Sequence, residues 1–202
     1  MDLQDKVVLI TGAGKGRGRA LAEALAQRSA IIAANDISPI NVDEVVDEIN
    51  RQGGRATAYI EDVAKKLGAQ HIINQVEDDF GRLDILIHHA TVEPHVPLLD
   101  MDEWDWHRVL DVNLTGAFLM TQSAGRVMRT QGSGVILFLI TEPTRDEKKE
   151  AAFVASMDGL RGLARQAAME LAPQGIRVFA VEGSSNEMVE KVFVLLNGLE
   201  EK

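Results

Sequence analysis

The chain has 202 residues, enough for one α/β domain with a well-buried core, and its 46% hydrophobic and 26% charged residues are ordinary for a soluble globular protein. It contains no cysteine, which excludes disulfides, zinc–thiolate sites and thiol nucleophiles and favours an intracellular, cytoplasmic location. The formal net charge of −10 disfavours non-specific binding to nucleic acids or anionic membranes, and the longest apolar run, residues 135–140, is far too short to cross a bilayer.

Short apolar segments alternate with amphipathic segments along almost the whole chain. The apolar segments are rich in Val, Ile and Leu, which is typical of parallel strands buried on both faces. The predicted strands are residues 6–10, 31–35, 56–60, 83–87, 135–140 and 176–181, and the predicted helices are residues 17–28, 41–52, 64–80, 102–130, 147–173 and 187–199. This pattern predicts one domain, residues 1–202, with an α/β fold: a Rossmann-type, doubly wound parallel sheet of about six strands with helices on both faces.

The first predicted strand is followed by a glycine-rich turn, TGAGKGRG at residues 11–18, and then by a helix. In this arrangement, the turn and the helix N-terminus hold the pyrophosphate of a dinucleotide. Gly12 permits the tight turn, Gly16 lets the backbone approach the phosphates, and Gly18 lets the helix lie close to the sheet. The sequence therefore predicts a dinucleotide-binding loop.

Charged residues near this loop point to the same ligand. Lys15, Arg17 and Arg19 are cations at a helix start, where a bound anion would offset their unfavourable interaction with the helix dipole. Asp36 ends the second predicted strand, about 20 residues past the glycines, where a carboxylate accepts hydrogen bonds from the ribose of NAD. It would repel the 2′-phosphate of NADP, so we expect NAD (NADH). The alternative is a strand-end aspartate that only forms a turn with the following serine and proline.

Four segments of the chain follow one known pattern. They are the T-G-x-x-x-G-x-G loop beginning at Thr11, the pair Asp62 and Val63, DVNLTG at residues 111–116, and LAPQGIRV at residues 171–178. With these segments, the chain resembles the short-chain dehydrogenase/reductase family from residue 5 to about residue 181, and in that family the Asp-Val pair contacts the adenine. The resemblance implies a Rossmann-type sheet, a nicotinamide cofactor and, in active members, hydride transfer to or from a carbonyl or alcohol carbon.

The resemblance also assigns cofactor-binding positions. After the fourth strand, the family's N-N-A-G reads His88-His89-Ala90-Thr91, so that Ala90 lies against the cofactor and Thr91 crowds it. Arg17 replaces the isoleucine that is usual in the loop. The cofactor-binding residues implied are Thr11, Gly12, Gly16, Arg17, Gly18, Asp36, Asp62, Val63 and Ala90.

Active members of the family use a serine, a tyrosine and a lysine four residues later, assisted by an asparagine that corresponds to Asn113. Here Phe153 falls at the tyrosine position, Met157 at the lysine position, and Ile140 or Thr141 at the serine position. Phenylalanine has no proton to transfer, and methionine has no charge to lower a phenol pKa. We therefore predict a catalytically degenerate member in which only Asn113 and Thr141 remain of the catalytic set.

The C-terminal part departs from the family as well. Residues 182–186 stand where the family has Pro-Gly and a long substrate-covering loop, and no seventh strand follows the last predicted helix. The sequence thus predicts a reduced substrate lid. Because the family pairs its long helices across a two-fold axis, the resemblance also implies a homodimer through helices 102–130 and 147–173.

Three functions are consistent with these features. The first is an NAD(H)-binding but catalytically degenerate protein that acts by binding or association. The second is an active, atypical NAD-dependent oxidoreductase that uses Thr141, Asn113 or a histidine on an alcohol or carbonyl substrate, and the third is a structural dimer subunit without cofactor. His88, His89 and His95 with Glu93 are candidates for a metal or acid/base site, but their spacing matches no metal-binding template, and we predict no metal site.

Overall fold

Six strands are present in the computed structural model, which describes residues 2–141, 149–183 and 187–199. The predicted strands are thereby confirmed, and each bound lies within two residues of the expected one. The strands are β1 (Val7–Thr11), β2 (Ile31–Asp36), β3 (Arg55–Ile60), β4 (Ile85–His88), β5 (Gly134–Thr141) and β6 (Ile176–Gly183). They form one parallel sheet in the order β3-β2-β1-β4-β5-β6, which confirms the predicted Rossmann-type fold.

Helices connect the strands, as predicted. They are α1 (Gly16–Ala26), α2 (Pro39–Arg51), α3 (Lys66–Phe80), α4 (Glu103–Leu110), α5 (Gly116–Gln131), α6 (Ala151–Leu171) and α7 (Met188–Gly198). Residues 147 and 148 of a predicted helix, and residues 184–186 of the predicted loop, lie outside the described residues. Within the ranges described, no helix combines the length and apolar character needed to span a bilayer.

The predicted helix over residues 102–130 is present without a gap from Glu103 to Gln131, but it is not α-helical throughout. A π-helical turn, Asp111–Thr115, separates α4 from α5. The wider turn holds Asn113, which is fully buried and bonded to residues of two other segments. Such single π turns occur inside helices, often at functional sites, and here tertiary hydrogen bonds accompany the local departure from α-helical geometry.

The core consists of two apolar layers, one on each face of the sheet. Successive side chains of β1 alternate between them, with Val7 and Leu9 in one layer and Val8 and Ile10 in the other. Helices α3, α5 and α6 cover the first layer, whereas α1, α2 and α7 cover the second. Because both faces are covered, the strands are apolar along most of their length.

The chain changes direction between β1 and β4. Strand β1 pairs with β2 on one side and with β4 on the other, so the connections after β1 and β4 leave toward opposite faces of the sheet. Their divergence opens a crevice at the carboxyl ends of these strands, which is where open α/β sheets bind ligands.

Candidate functional site

A cavity of about 730 Å³ lies at this crevice. The loops after β1, β2, β3 and β4 and one face of α4 with the π turn form its walls. Seven of the predicted cofactor-binding residues line it, whereas Thr11 and Gly18 lie directly behind the wall. The seven are Gly12, Gly16, Arg17, Asp36, Asp62, Val63 and Ala90.

Glycines bring the first loop against its neighbours. Gly12 has φ +67°, and a Cβ at this position would lie 2.9 Å from Ala90 Cα. A Cβ on Gly18 would lie only 2.0 Å from the carbonyl oxygen of Gly12. Side chains at either position would therefore push the loop away from α1 or from β4, and the helix N-terminus would no longer face the cavity.

Asp36 connects two sides of the cavity. Its Oδ2 accepts a hydrogen bond from the backbone N–H of Gly14 at 3.0 Å, and its Oδ1 accepts one from the N–H of Ser38 at 3.0 Å. The turn with Ser38 that the sequence left as an alternative is thus formed. A carboxylate has about four acceptor sites, so Asp36 retains acceptor capacity beside the cavity for ribose hydroxyls.

Thr11 holds the loop after β4 through its hydroxyl group. Thr11 Oγ1 accepts hydrogen bonds from the backbone N–H groups of His89 (3.0 Å) and Ala90 (3.1 Å), so its single proton is donated to His88 Nδ1 at 3.1 Å. The proton of neutral His88 is therefore on Nε2, which is buried without a hydrogen-bond partner among the described residues. Burial, with a smaller contribution from His89, lowers the pKa of His88 to about 3. His88 is thus a neutral side chain within the fold, behind the cavity wall.

Acid is expected to destabilise the protein through His88. Its pKa is about 3 in the folded chain against an ordinary 6.5, so the unfolded chain binds more protons between these values. The free energy of unfolding should therefore decrease as pH falls below about 6.5, by about 2 kcal/mol at about pH 5 from this group alone. Urea unfolding over a pH series checks this, with His88→Asn as the control; an equally steep pH dependence in that variant would contradict it.

Asn113 is engaged entirely by the protein. Its Oδ1 accepts from the N–H of Val92 at 2.8 Å, and its Nδ2 donates to the carbonyl of Val92 and to Ser156 Oγ, both at 3.0 Å. Ser156 Oγ in turn donates to the carbonyl oxygen of Phe153 at 2.7 Å. Asn113 is fully buried and does not line the cavity. Its contacts tie the π turn to the loop after β4 and to α6.

Asn113→Ala is expected to lower the free energy of unfolding by about 2 to 4 kcal/mol, because Val92 loses two hydrogen bonds and Ser156 loses one. Ser156→Ala removes a single partner of Asn113 and should cost about 1 kcal/mol. Urea unfolding of the two variants measures both changes. If Asn113→Ala is no less stable than Ser156→Ala, the structural role assigned to Asn113 is wrong.

Phe153 and Met157 lie away from the cavity. They are only 1% and 2% exposed and belong to the apolar layer covered by α3, α5 and α6. Of the two candidates for the serine position, Ile140 is fully buried and Thr141 is partly exposed at the end of β5. Neither residue lines the cavity. The predicted catalytic positions therefore lie outside the cavity that the predicted cofactor-binding residues line.

The part of the cavity wall that α4 contributes was not predicted from the sequence. Trp104, His107, Arg108 and Asp111 line the cavity, and the Arg108 guanidinium lies 5.2 Å from the centre of the Trp104 ring. Their spacing of i, i+3, i+4 and i+7 places them on one helix face. The spacing is visible in the sequence, although it does not by itself reveal what the helix face covers.

The candidate histidine cluster is only partly formed. His88 is committed to Thr11, whereas ligand atoms of Glu93, His95 and Glu150 lie within 4.8 Å of one another. Glu150 is buried beside the start of α6, and the other two residues are exposed. This proximity joins segments far apart in the chain, so no template based on sequence spacing predicts it.

Comparison with known proteins gives consistent results. The family model for short chain dehydrogenases matches residues 6–187. An uncharacterized oxidoreductase of Thermotoga maritima is 38% identical over 182 residues, which cover 90% of this chain and 72% of the relative.

Solved structures agree with this result. A NAD⁺-bound xylitol dehydrogenase superposes with a TM-score of 0.86 at 31% identity and covers 91% of this chain and 72% of its own. A metagenomic short-chain oxidoreductase in complex with NADP gives a TM-score of 0.89 at 26% identity, covering 96% of this chain and 91% of its own. Structures with this fold are therefore known with NAD⁺ bound and with NADP bound.

Proposed function

We propose, from the premise that this chain belongs to the short-chain dehydrogenase/reductase family, that it binds NAD(H) in the cavity but does not catalyse hydride transfer. It would act through binding or association. When bound, the nicotinamide ring supplies a hydride donor or acceptor, and everything else that the reaction needs must come from protein side chains. The proposal therefore depends on which side chains the chain offers at each half of the cofactor.

For the adenosine half, the described residues offer a suitable site. The N-terminus of α1 and the loop glycines favour the pyrophosphate, and Asp36 has acceptor capacity for the ribose hydroxyls. Asp62 and Val63 lie on the wall where the family's adenine-contacting pair is expected. The Asp36 carboxylate would repel a 2′-phosphate, which favours NAD over NADP.

For the nicotinamide half, the observation that carries the proposal is the burial of Phe153 and Met157 in the apolar layer. Neither side chain can transfer a proton or carry a charge. A positioned general acid/base typically contributes about 10²- to 10⁴-fold in rate, and oriented electrostatic groups contribute more. The amide oxygen and nitrogen of Asn113 are both engaged by Val92 and Ser156, so that Thr141 is the one member of the predicted set that offers a hydroxyl.

Association through the long helices is a second part of the proposal. Phe118 on α5 is 45% exposed and Met169 on α6 is 69% exposed, so apolar surface remains on both helices after they cover the sheet. We expect a homodimer in which α4–α5 and α6 pair across a two-fold axis. Native mass spectrometry or light scattering that finds only monomer at micromolar concentration would remove this part.

Calorimetric titration with NAD⁺, NADH and NADP⁺ tests the binding half of the proposal. We expect NAD⁺ and NADH to bind and NADP⁺ to bind at least about tenfold more weakly, since the phosphate would face the carboxylate of Asp36. A hydride-transfer assay over a panel of alcohols and carbonyl compounds should give no turnover. Absence of binding would overturn the cofactor assignment, and turnover would overturn the loss of catalysis.

A further inference from the structure

Arg17 is a half-buried cation in the wall of the cavity. It lies between Gly16 and Gly18 at the start of α1, and its Nη1 atom is fully buried without a hydrogen-bond partner among the described residues. Burial lowers its pKa, but a guanidinium remains protonated at neutral pH. A charged donor that has lost water costs free energy unless a partner satisfies it, and the Arg17 side chain lines the cavity, so a ligand oxygen bound beside its guanidinium would stabilise it.

Beside residues 89–93, Arg17 is the main positive charge, because His89 is neutral and Glu93 is negative. Burial first, and then the charge of Arg17, lower the pKa of His89 to about 4, so His89 is neutral at pH 7. The carboxylate that acts on Arg17 is the exposed Glu93. Carboxylates also line the cavity, at Asp36, Glu61, Asp62 and Asp111.

Arg19, at the same helix start, provides a contrast. Its guanidinium donates to Glu23 at 2.8 Å and to Glu44 at 2.9 Å, and it does not line the cavity. The two arginines thus have the same charge, lie two residues apart at the helix start, and differ in whether protein carboxylates already bind them. Of these two arginines, only Arg17 lines the cavity, as Lys15, Lys65 and Arg108 also do.

Resting on the nucleotide binding proposed above, we propose that Arg17 makes the cavity prefer an adenine nucleotide that ends in a phosphate, a nucleoside 5′-diphosphate, over NAD⁺. A guanidinium binds a terminal phosphate with two parallel hydrogen bonds. A terminal phosphate also carries more charge than the diester pyrophosphate of a dinucleotide. The oxidised nicotinamide ring is itself cationic, and Arg17 repels it from the space beyond the pyrophosphate. The burial of Phe153 and Met157 leaves that ring no charged or polar partner at these two positions.

Calorimetric titrations with ADP, ADP-ribose and NAD⁺ test this preference in the wild type, in Arg17→Ile and in Arg19→Ile. In the wild type we expect ADP to bind at least about tenfold more tightly than NAD⁺, with ADP-ribose between them. Arg17→Ile should weaken ADP about 10- to 100-fold and leave NAD⁺ unchanged or tighter. Arg19→Ile should leave all three affinities within about twofold, since its charge lies outside the cavity.

The outcomes separate this inference from the proposed function. Equal affinity for ADP and NAD⁺ in the wild type, or equal effects of the two arginine variants, would overturn the role of Arg17 and leave nucleotide binding standing. Absence of binding for all three probes would overturn both. If Arg17→Ile does not fold, as judged by circular dichroism, Arg17→Gln takes its place: an ADP preference that decreases in this variant supports the role, and one equal to that of the wild type contradicts it.

Discussion

Met157→Lys is expected to lower the free energy of unfolding by about 3 to 5 kcal/mol. Met157 is 2% exposed within the apolar layer covered by α3, α5 and α6, where an ammonium group would lose its hydration. According to the resemblance, the same substitution restores the lysine that active members of the family have at this position. We therefore expect this position to reject a charge, although the resemblance places a lysine there in active members.

Met157→Leu is the matched control, since it keeps the volume and adds no charge; it should cost less than about 1.5 kcal/mol. A buried lysine has a lowered pKa, so it is protonated more readily in the unfolded chain, and the cost of Met157→Lys should increase as the pH falls. Urea unfolding at two pH values measures both effects. A Met157→Lys protein as stable as wild type would mean that this position opens to water, and that the nicotinamide half of the site is accessible.

Gly18→Ala is expected to abolish nucleotide binding and to cost about 3 kcal/mol of stability. Its Cβ would lie 2.0 Å from Gly12 O, 2.8 Å from Gly12 C and 3.0 Å from Ala13 Cα, all of them backbone atoms that cannot rotate away. Either α1 or the first loop must move, and the backbone N–H groups that face the pyrophosphate move with it.

The control for Gly18→Ala is Gly162→Ala, because Gly162 is also helical and nothing lies within 4 Å of a Cβ built there. It should be neutral or stabilise the chain by up to about 1 kcal/mol, as expected for alanine in a helix interior. Urea unfolding and calorimetric titration with NADH compare the two variants. If Gly18→Ala binds nucleotide with wild-type affinity, the close approach of α1 to the loop does not define the site.

The fold was predictable because its main signals are local. Apolar runs such as residues 135–140 are buried on both faces of the sheet, and Gly12 and Gly18 meet steric demands that neighbouring backbone imposes. Periodicity and turn chemistry report these features directly. For the same reason, all six strands were found with small errors in their bounds.

The π turn between α4 and α5 was not predictable in this way. The apolar pattern runs through Asp111–Thr115, but Asn113 bonds to Val92 and Ser156, which are 21 and 43 residues away. The cavity wall on α4 was missed for a related reason, since the position of Trp104 over the crevice depends on tertiary packing. Long-range contacts of this kind leave little trace in local sequence pattern.

The most direct test of the account is transfer of deuterium from the reduced cofactor. Protein saturated with deuterated NADH would be incubated with a panel of ketones and aldehydes at enzyme concentrations comparable to the substrate, and products would be examined by mass spectrometry. The account predicts NADH bound in the cavity and no deuterium in any product above the protein-free reaction. Deuterium incorporation above that level would contradict it, and its loss in Thr141→Ala would assign the transfer to a site that works without the tyrosine and lysine.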